Sequence, residues 1–158
     1  MEEQRPNKKI YTPHQAKLKA EAYCAYQERS QQEVRDKLYD WGLHMEDVEQ
    51  IISELISTNF LNEERYANAF ALGKFRIKGW GKIKIQQHLK AKRVSSPLIK
   101  GALQQIDLDE YEEKLTDIIK KKSNVSIQQL SLQDKAKLVR YLQSKGYENG
   151  LIFEKIKI

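Results

Sequence analysis

Slid against itself by 51 residues, the chain lays Val34 on Ile85, Leu38 on Leu89, Leu43 on Val94, Val48 on Ile99, Ile52 on Leu103 and Leu55 on Ile106. A slide of 104 lays Val34 on Leu138, Leu38 on Leu142, Gly42 on Gly146, Leu43 on Tyr147, Val48 on Ile152 and Ile52 on Ile156. Within each copy the apolar residues recur at i, i+3, i+4 and i+7, the period of a helix with one buried face. Each copy is therefore a helix, a short break and a second helix, and a further helix precedes it at about 13–28, 62–78 and 109–122. No segment alternates as a strand would. The pattern predicts an all-α fold of three tandem three-helix repeats forming an elongated, curved helical array. The boundaries expected are a flexible N-terminal segment at 1–11, then repeats at 12–60, 61–107 and 108–158.

Start signals support the helices. Thr12-Pro13-His14-Gln15 puts a capping hydroxyl before a proline suited to the first turn, and Ser30-Gln31-Gln32-Glu33 reads as a capping box. Ser96-Pro97 repeats the cap-then-proline order, and Asp109 with Glu112 places acids at a helix start. In the middle repeat Tyr66, Phe70 and Ile77 share one helical face while Leu72 and Phe75 point elsewhere, as expected of a helix buried from more than one side. The run Lys120-Lys121-Lys122-Ser123-Asn124 is the least apolar join and the expected hinge of the third repeat.

The net charge of +6 conceals an uneven distribution. From Arg65 to Ile106 there are ten basic residues and no acid, whereas the remainder holds 18 basic and 22 acidic residues. This is a positive middle between mildly negative flanks. Such an excess repels itself and is relieved by a polyanion or an acidic protein surface.

Catalytic chemistry finds no foothold. His14, His44 and His88 are scattered without metal-ligand spacing, and Gly79-Trp80-Gly81 lacks the strand and third glycine of a phosphate loop. Glu63 and Glu64 stand at a helix start, where capping explains them. Cys24 is the single cysteine, which excludes an internal disulfide and fits a reducing compartment. No stretch approaches the ~20 apolar residues of a membrane span, and the first residues lack the apolar core of a signal peptide. The expectation is a soluble, intracellular binding protein, with no catalytic residue, no metal and no cofactor.

The contact residues expected from charge are Arg76, Lys78, Lys82, Lys84, Lys92 and Arg93, with Trp80 open between a core wedge and an exposed aromatic anchor. The cations ring their helix instead of forming one stripe, which favours sequence-independent contact with phosphates over base readout.

Several of these residues compose a familiar pattern. Arg29-Ser30 with Glu33-Val34 and Lys37-Leu38, then Gly42, resembles the first-repeat signature of the RecX family of recombination regulators. Phe60-Leu61-Asn62-Glu63-Glu64-Arg65-Tyr66-Ala67, followed by Gly79-Trp80-Gly81-Lys82-Ile83 and Leu89, is similar to its central block. Tyr141-Leu142, Lys145-Gly146-Tyr147 and Ile152 extend the likeness to residues 14–156. Asn62 stands where the family usually has Asp, and Arg93-Val94 stands where a glycine and a hydrophobic residue are usual.

The resemblance implies three tandem three-helix repeats, in agreement with the internal repeat. It also implies a bacterial cytoplasmic protein acting in recombination and DNA repair; a monomer is the expectation set beside it. Such a protein docks on the RecA recombinase filament, meets single-stranded DNA directly or through that filament, and inhibits ATP hydrolysis, strand exchange and filament growth. The alternative from charge alone is a free-standing helical DNA- or RNA-binding module.

Overall fold

The computed structural model describes residues 10–157, and those residues form nine α-helices and no strand. They are α1 (Pro13–Tyr26), α2 (Gln31–Asp40), α3 (Met45–Ser57), α4 (Glu63–Lys78), α5 (Lys82–Ala91), α6 (Ser96–Gln104), α7 (Leu108–Lys122), α8 (Leu132–Lys145) and α9 (Asn149–Ile156). A single 3-10 turn, Ile127–Gln129, lies between α7 and α8. No helix among the described residues is long and apolar enough to cross a membrane.

The chain divides into two compact units, Met1–Tyr66 and Ala67–Ile158, the division falling within α4. In the first unit α1 presents Ala16, Ala20 and Cys24, one small residue per turn, to a core of Val34, Leu38, Val48, Ile51, Ile52, Leu55 and Leu61. Small side chains on one helix face let the α2–α3 pair approach closely. Thr12 caps α1 reciprocally with Gln15, and Ser30 Oγ accepts the Glu33 amide at 3.0 Å. The first nine positions of the expected flexible segment lie outside the described residues. Tyr11 is anchored: its amide donates to the Trp41 carbonyl and its ring meets that of Trp41 edge-on.

The second unit holds the second and third repeats. Ala67, Ala71, Phe75, Ile85, Leu89, Val94, Ile99, Ala102, Ile106, Tyr111, Leu115, Ile119, Leu138, Leu142, Tyr147, Ile152 and Ile156 are buried in it. Phe75 is fully buried, but Ile77 is 82% exposed. The shared face expected for Tyr66, Phe70 and Ile77 is thus wrong in its last member, since the end of α4 packs through Phe75 and Gly79 and leaves the Ile77 side uncovered. Two caps also shift. The N-cap before α6 is Ser95, without a side-chain bond, and α7 is capped by Asp107, whose carboxylate accepts the Glu110 amide at 2.9 Å. Asn62 does the work of the family's Asp, accepting the Arg65 amide at 2.8 Å.

The repeat is written most plainly in the breaks. After α2, α5 and α8 the backbone turns left-handed at Gly42 (φ 87°), Arg93 (φ 59°) and Gly146 (φ 96°). In each case the next amide reaches back five residues: Leu43 to the Leu38 carbonyl, Val94 to Leu89 and Tyr147 to Leu142, at 3.1–3.3 Å. These are three copies of one helix-ending motif, in which a buried apolar residue follows a left-handed position. Arg93 keeps the turn that glycine makes elsewhere, with a side chain that the left-handed region disfavours by about 1 kcal/mol. Arg93→Gly is expected to raise unfolding stability by roughly that amount, read as a higher denaturation midpoint with unchanged slope.

Candidate nucleic-acid and partner interface

The site forms where the second repeat meets the third. α4 ends in a left-handed residue, Gly79 (φ 69°), with the Trp80 amide bonded back to the Lys74 carbonyl at 3.1 Å. Two residues later α5 begins, and its first amides find no partners in their own helix. The third repeat supplies them. Gly81 donates to the Lys145 carbonyl at 2.7 Å and Ile83 to the Gly146 carbonyl at 3.0 Å. Lys82 donates to the Tyr111 hydroxyl at 3.0 Å, which itself donates to the Glu148 carboxylate at 2.6 Å. The carbonyl end of α8 is thus set against the amide end of α5, opposite poles of two helix dipoles.

Such an approach leaves no room for side chains. A Cβ on Gly81 would collide with the Gly146 carbonyl group, and one on Gly146 would collide with Lys84. Gly81 has an ordinary φ of −78°, so close approach and not backbone freedom demands glycine there. Tyr147 closes the joint, its buried hydroxyl donating to the Gly79 carbonyl at 2.9 Å. Burial raises the Tyr111 and Tyr147 hydroxyls well above the usual tyrosine range, with the Glu148 carboxylate adding to the shift at Tyr111. These contacts hold α8 to α5, which argues against a free hinge at 120–124.

Lysines crowd this joint. Lys145 donates through Nζ to the Lys78 carbonyl at 2.7 Å. Its own pKa is lowered by burial first, then by the neighbouring positive charges of Lys84 and Lys78. Trp80 lies half-buried between cations, with Lys84 Nζ 4.5 Å and Lys74 Nζ 5.0 Å from its ring centroid. His88 packs against the indole at 4.5 Å between centroids, and Phe70 meets it edge-on at 6.3 Å. The indole is both wedge and surface: it packs on Phe70 and His88, and the lysine ammonium groups lie over what remains.

The sequence-predicted residues are not all together. Lys78, Trp80, Lys82 and Lys84 gather at the joint. Arg76 stands beside them, but its guanidinium is committed to Glu110 by two bonds of 2.9 and 3.3 Å. Lys92 and Arg93 lie at the far end of α5, about 15 Å away for a helix of ten residues. Arg65, the first cation of the basic run, pairs with Glu28 in the first unit. Lys145 was missed. Its signal was present in the Lys145-Gly146-Tyr147 motif, but only the folded chain brings α8 beside α5.

The charge distribution also needs one correction. The residues before Arg65 carry 8 basic and 13 acidic groups, whereas those after Ile106 carry 10 and 9. The negative flank is the first one alone. By compact unit, the first has 9 basic and 13 acidic residues and the second 19 and 9.

The Cys24 thiol is buried in the first unit's core, and that burial pushes it up to about 11, which leaves it a poor nucleophile. Among the described residues no group of three or more His, Cys, Asp or Glu side chains could hold a metal ion.

Two outcomes follow from the joint. Gly146→Ala should destabilise the chain by about 2 kcal/mol or more, combining left-handed strain with collision, measured by chemical denaturation. The lowered Lys145 pKa means that part of its population loses its proton in alkaline buffer below the ordinary lysine pKa. A polyanion placed there restores that proton. Binding in this range should take up protons and weaken as pH rises, as calorimetry in buffers of different ionisation heat would register. Lys145→Gln should abolish the uptake.

Comparison with known proteins places this architecture. Three family models match in succession: the first three-helix domain of RecX at residues 16–55, the second at 62–103 and the third at 109–156. The regulatory protein RecX of Clostridium perfringens is 32% identical over 122 residues, covering 76% of this chain and 57% of that one. That of Streptococcus gordonii is 29% identical over 125 residues, covering 79% and 48%. The chain spans about half the length of the curated relatives it matches. The crystal structure of RecX from Lactobacillus salivarius superimposes with a TM-score of 0.76 at 23% identity, covering 92% of this chain and 94% of that one. With three consecutive domain matches, a shared helical architecture and the same helix-ending turn in every repeat, the chain belongs to the RecX family.

Proposed function

We propose that this chain is a non-catalytic, cytoplasmic regulator of homologous recombination and DNA repair. It binds the RecA filament on single-stranded DNA and restrains its ATP hydrolysis, strand exchange and growth. The family supplies the regulatory role, since the relatives carry the name regulatory protein RecX. The observation that carries the reading is the cation cluster at the joint. Lys78, Lys82, Lys84 and Lys145 have no carboxylate bridge among the described residues, and Trp80 stands in their midst. The filament offers what that field needs: phosphates and an ordered row of protein surfaces.

Three tandem repeats at 12–60, 61–107 and 108–158 give one monomer several places of contact. Individually weak contacts to successive filament subunits then add through effective concentration. A chain bound across subunits shifts the filament between active and inactive arrangements when its affinity for the two differs. Lys78, Lys82, Lys84 and Trp80 form the central contact, Arg76 joins it by exchanging Glu110 for phosphate, and Lys92 with Arg93 extends it along α5.

Steady-state ATP turnover by preassembled RecA–single-strand filaments tests this. The protein should depress turnover when present at less than one copy per recombinase protomer. Lys82→Gln with Lys84→Gln keeps the methylene packing on Gly146 and should raise the amount needed about tenfold. Unchanged turnover with excess wild-type protein overturns the reading. Tight binding to bare strands without any effect on turnover selects the free-standing nucleic-acid module instead.

A further inference from the structure

The middle repeat is not the sole cationic stretch. Between Ile118 and Tyr147 the third repeat carries seven basic residues, Lys120, Lys121, Lys122, Lys135, Lys137, Arg140 and Lys145, against one acid, Asp134. At the centre of this stretch Lys122 Nζ sits 4.3 Å from the ring centroid of Tyr141, which is half-buried on α8. The arrangement repeats that of Lys84 on Trp80. It differs from Lys82 over Tyr111, whose ring is 2% exposed and out of reach of any ligand. Beside Tyr141's helix opens a groove of about 340 Å³ lined by Lys122, Val125, Leu130, Asp134, Lys137 and Leu138, a mainly apolar surface that includes two lysines.

Geometry connects this place with the joint. Lys137, Tyr141 and Lys145 stand at i, i+4 and i+8 on α8, along one side of the helix and about 12 Å from first to last. Lys145 is the residue that meets Lys78 and Lys84.

We propose that the third repeat holds a single-stranded nucleic-acid contact of its own. Tyr141 stacks on a base, and Lys122, Lys137 and Arg140 take the phosphates that continue from the Lys78–Lys84–Lys145 cluster. On arrival of the strand the Lys122 ammonium leaves the ring for a phosphate and a base replaces it. A single strand is the occupant because its bases can turn a face to the tyrosine, whereas a duplex keeps them stacked inside. This deepens the proposed function and rests on its premise that the cationic side meets nucleic acid.

Fluorescence anisotropy with a labelled oligothymidylate of about 30 nucleotides, and with a duplex of equal length, provides the test on the full chain. Tyr141→Leu should weaken single-strand binding at least fivefold without changing the salt slope, and Tyr141→Phe should restore it. Lys122→Gln with Lys137→Gln should flatten the slope of log K against log salt by about 1.4. Binding by Tyr141→Leu equal to wild type, an unaltered slope in the lysine variant, or duplex bound as tightly as single strand overturns the assignment. ATP turnover separates the two proposals. If wild type suppresses turnover while Tyr141→Leu binds strands normally, this contact fails and the regulatory reading stands. If turnover is untouched while Tyr141→Leu loses strands, the reverse holds.

Discussion

Two main-chain hydrogen bonds join the end of α8 to the start of α5, and they exist because neither Gly81 nor Gly146 carries a side chain. The rest of the second unit's functional surface follows from that contact. Amides at a helix start commonly attract anions, but here Gly81, Lys82 and Ile83 spend theirs on Lys145, Tyr111 and Gly146. Anion affinity at the joint therefore falls to side chains. The same contact draws Lys145 against Lys78 and Lys84, a cost in repulsion that the folded chain bears because the helix ends, Tyr111 and Tyr147 hold the backbone in place.

The two compact units differ in electrostatic character. The first has an excess of four acids and the second an excess of ten bases. A polyanion approaching this chain meets attraction from the second unit and mild repulsion from the first, so under the proposed function the second and third repeats form its nucleic-acid side. Within that side aromatic rings are used in two ways. Tyr111, Phe75 and Tyr147 are buried structural parts, packed as tilted rings at 5.3–5.7 Å between centroids. Trp80 and Tyr141 stay half-exposed under lysine ammonium groups, the position from which a base can be met.

Helix content, repeat register and most starts were legible in the sequence because local rules govern them. Thr12, Ser30 and Asn62 cap as their side-chain chemistry dictates, whatever the rest of the chain does. The errors fall where neighbours decide. Ile77 has the right phase to be buried, yet nothing packs over the end of α4 on that side. Arg93 looked like a departure from the glycine turn, but Val94 still buries and pulls the arginine left-handed. Arg76 counted among the cations facing a partner, while Glu110, 34 residues later, accepts its guanidinium.

By itself the sequence determined that the chain forms three like helical modules and that positive charge is massed in its middle. Both properties come from spacing and from residue type, which are readable along one dimension. Tertiary structure decided which cations share a surface. α5 carries Lys84 to one end and Arg93 to the other, while α8 brings Lys145, 61 positions further along the chain, to the first of these. Electrostatic repulsion and attraction act through space at a few ångströms, so the composition of the site waits on the fold to set those distances.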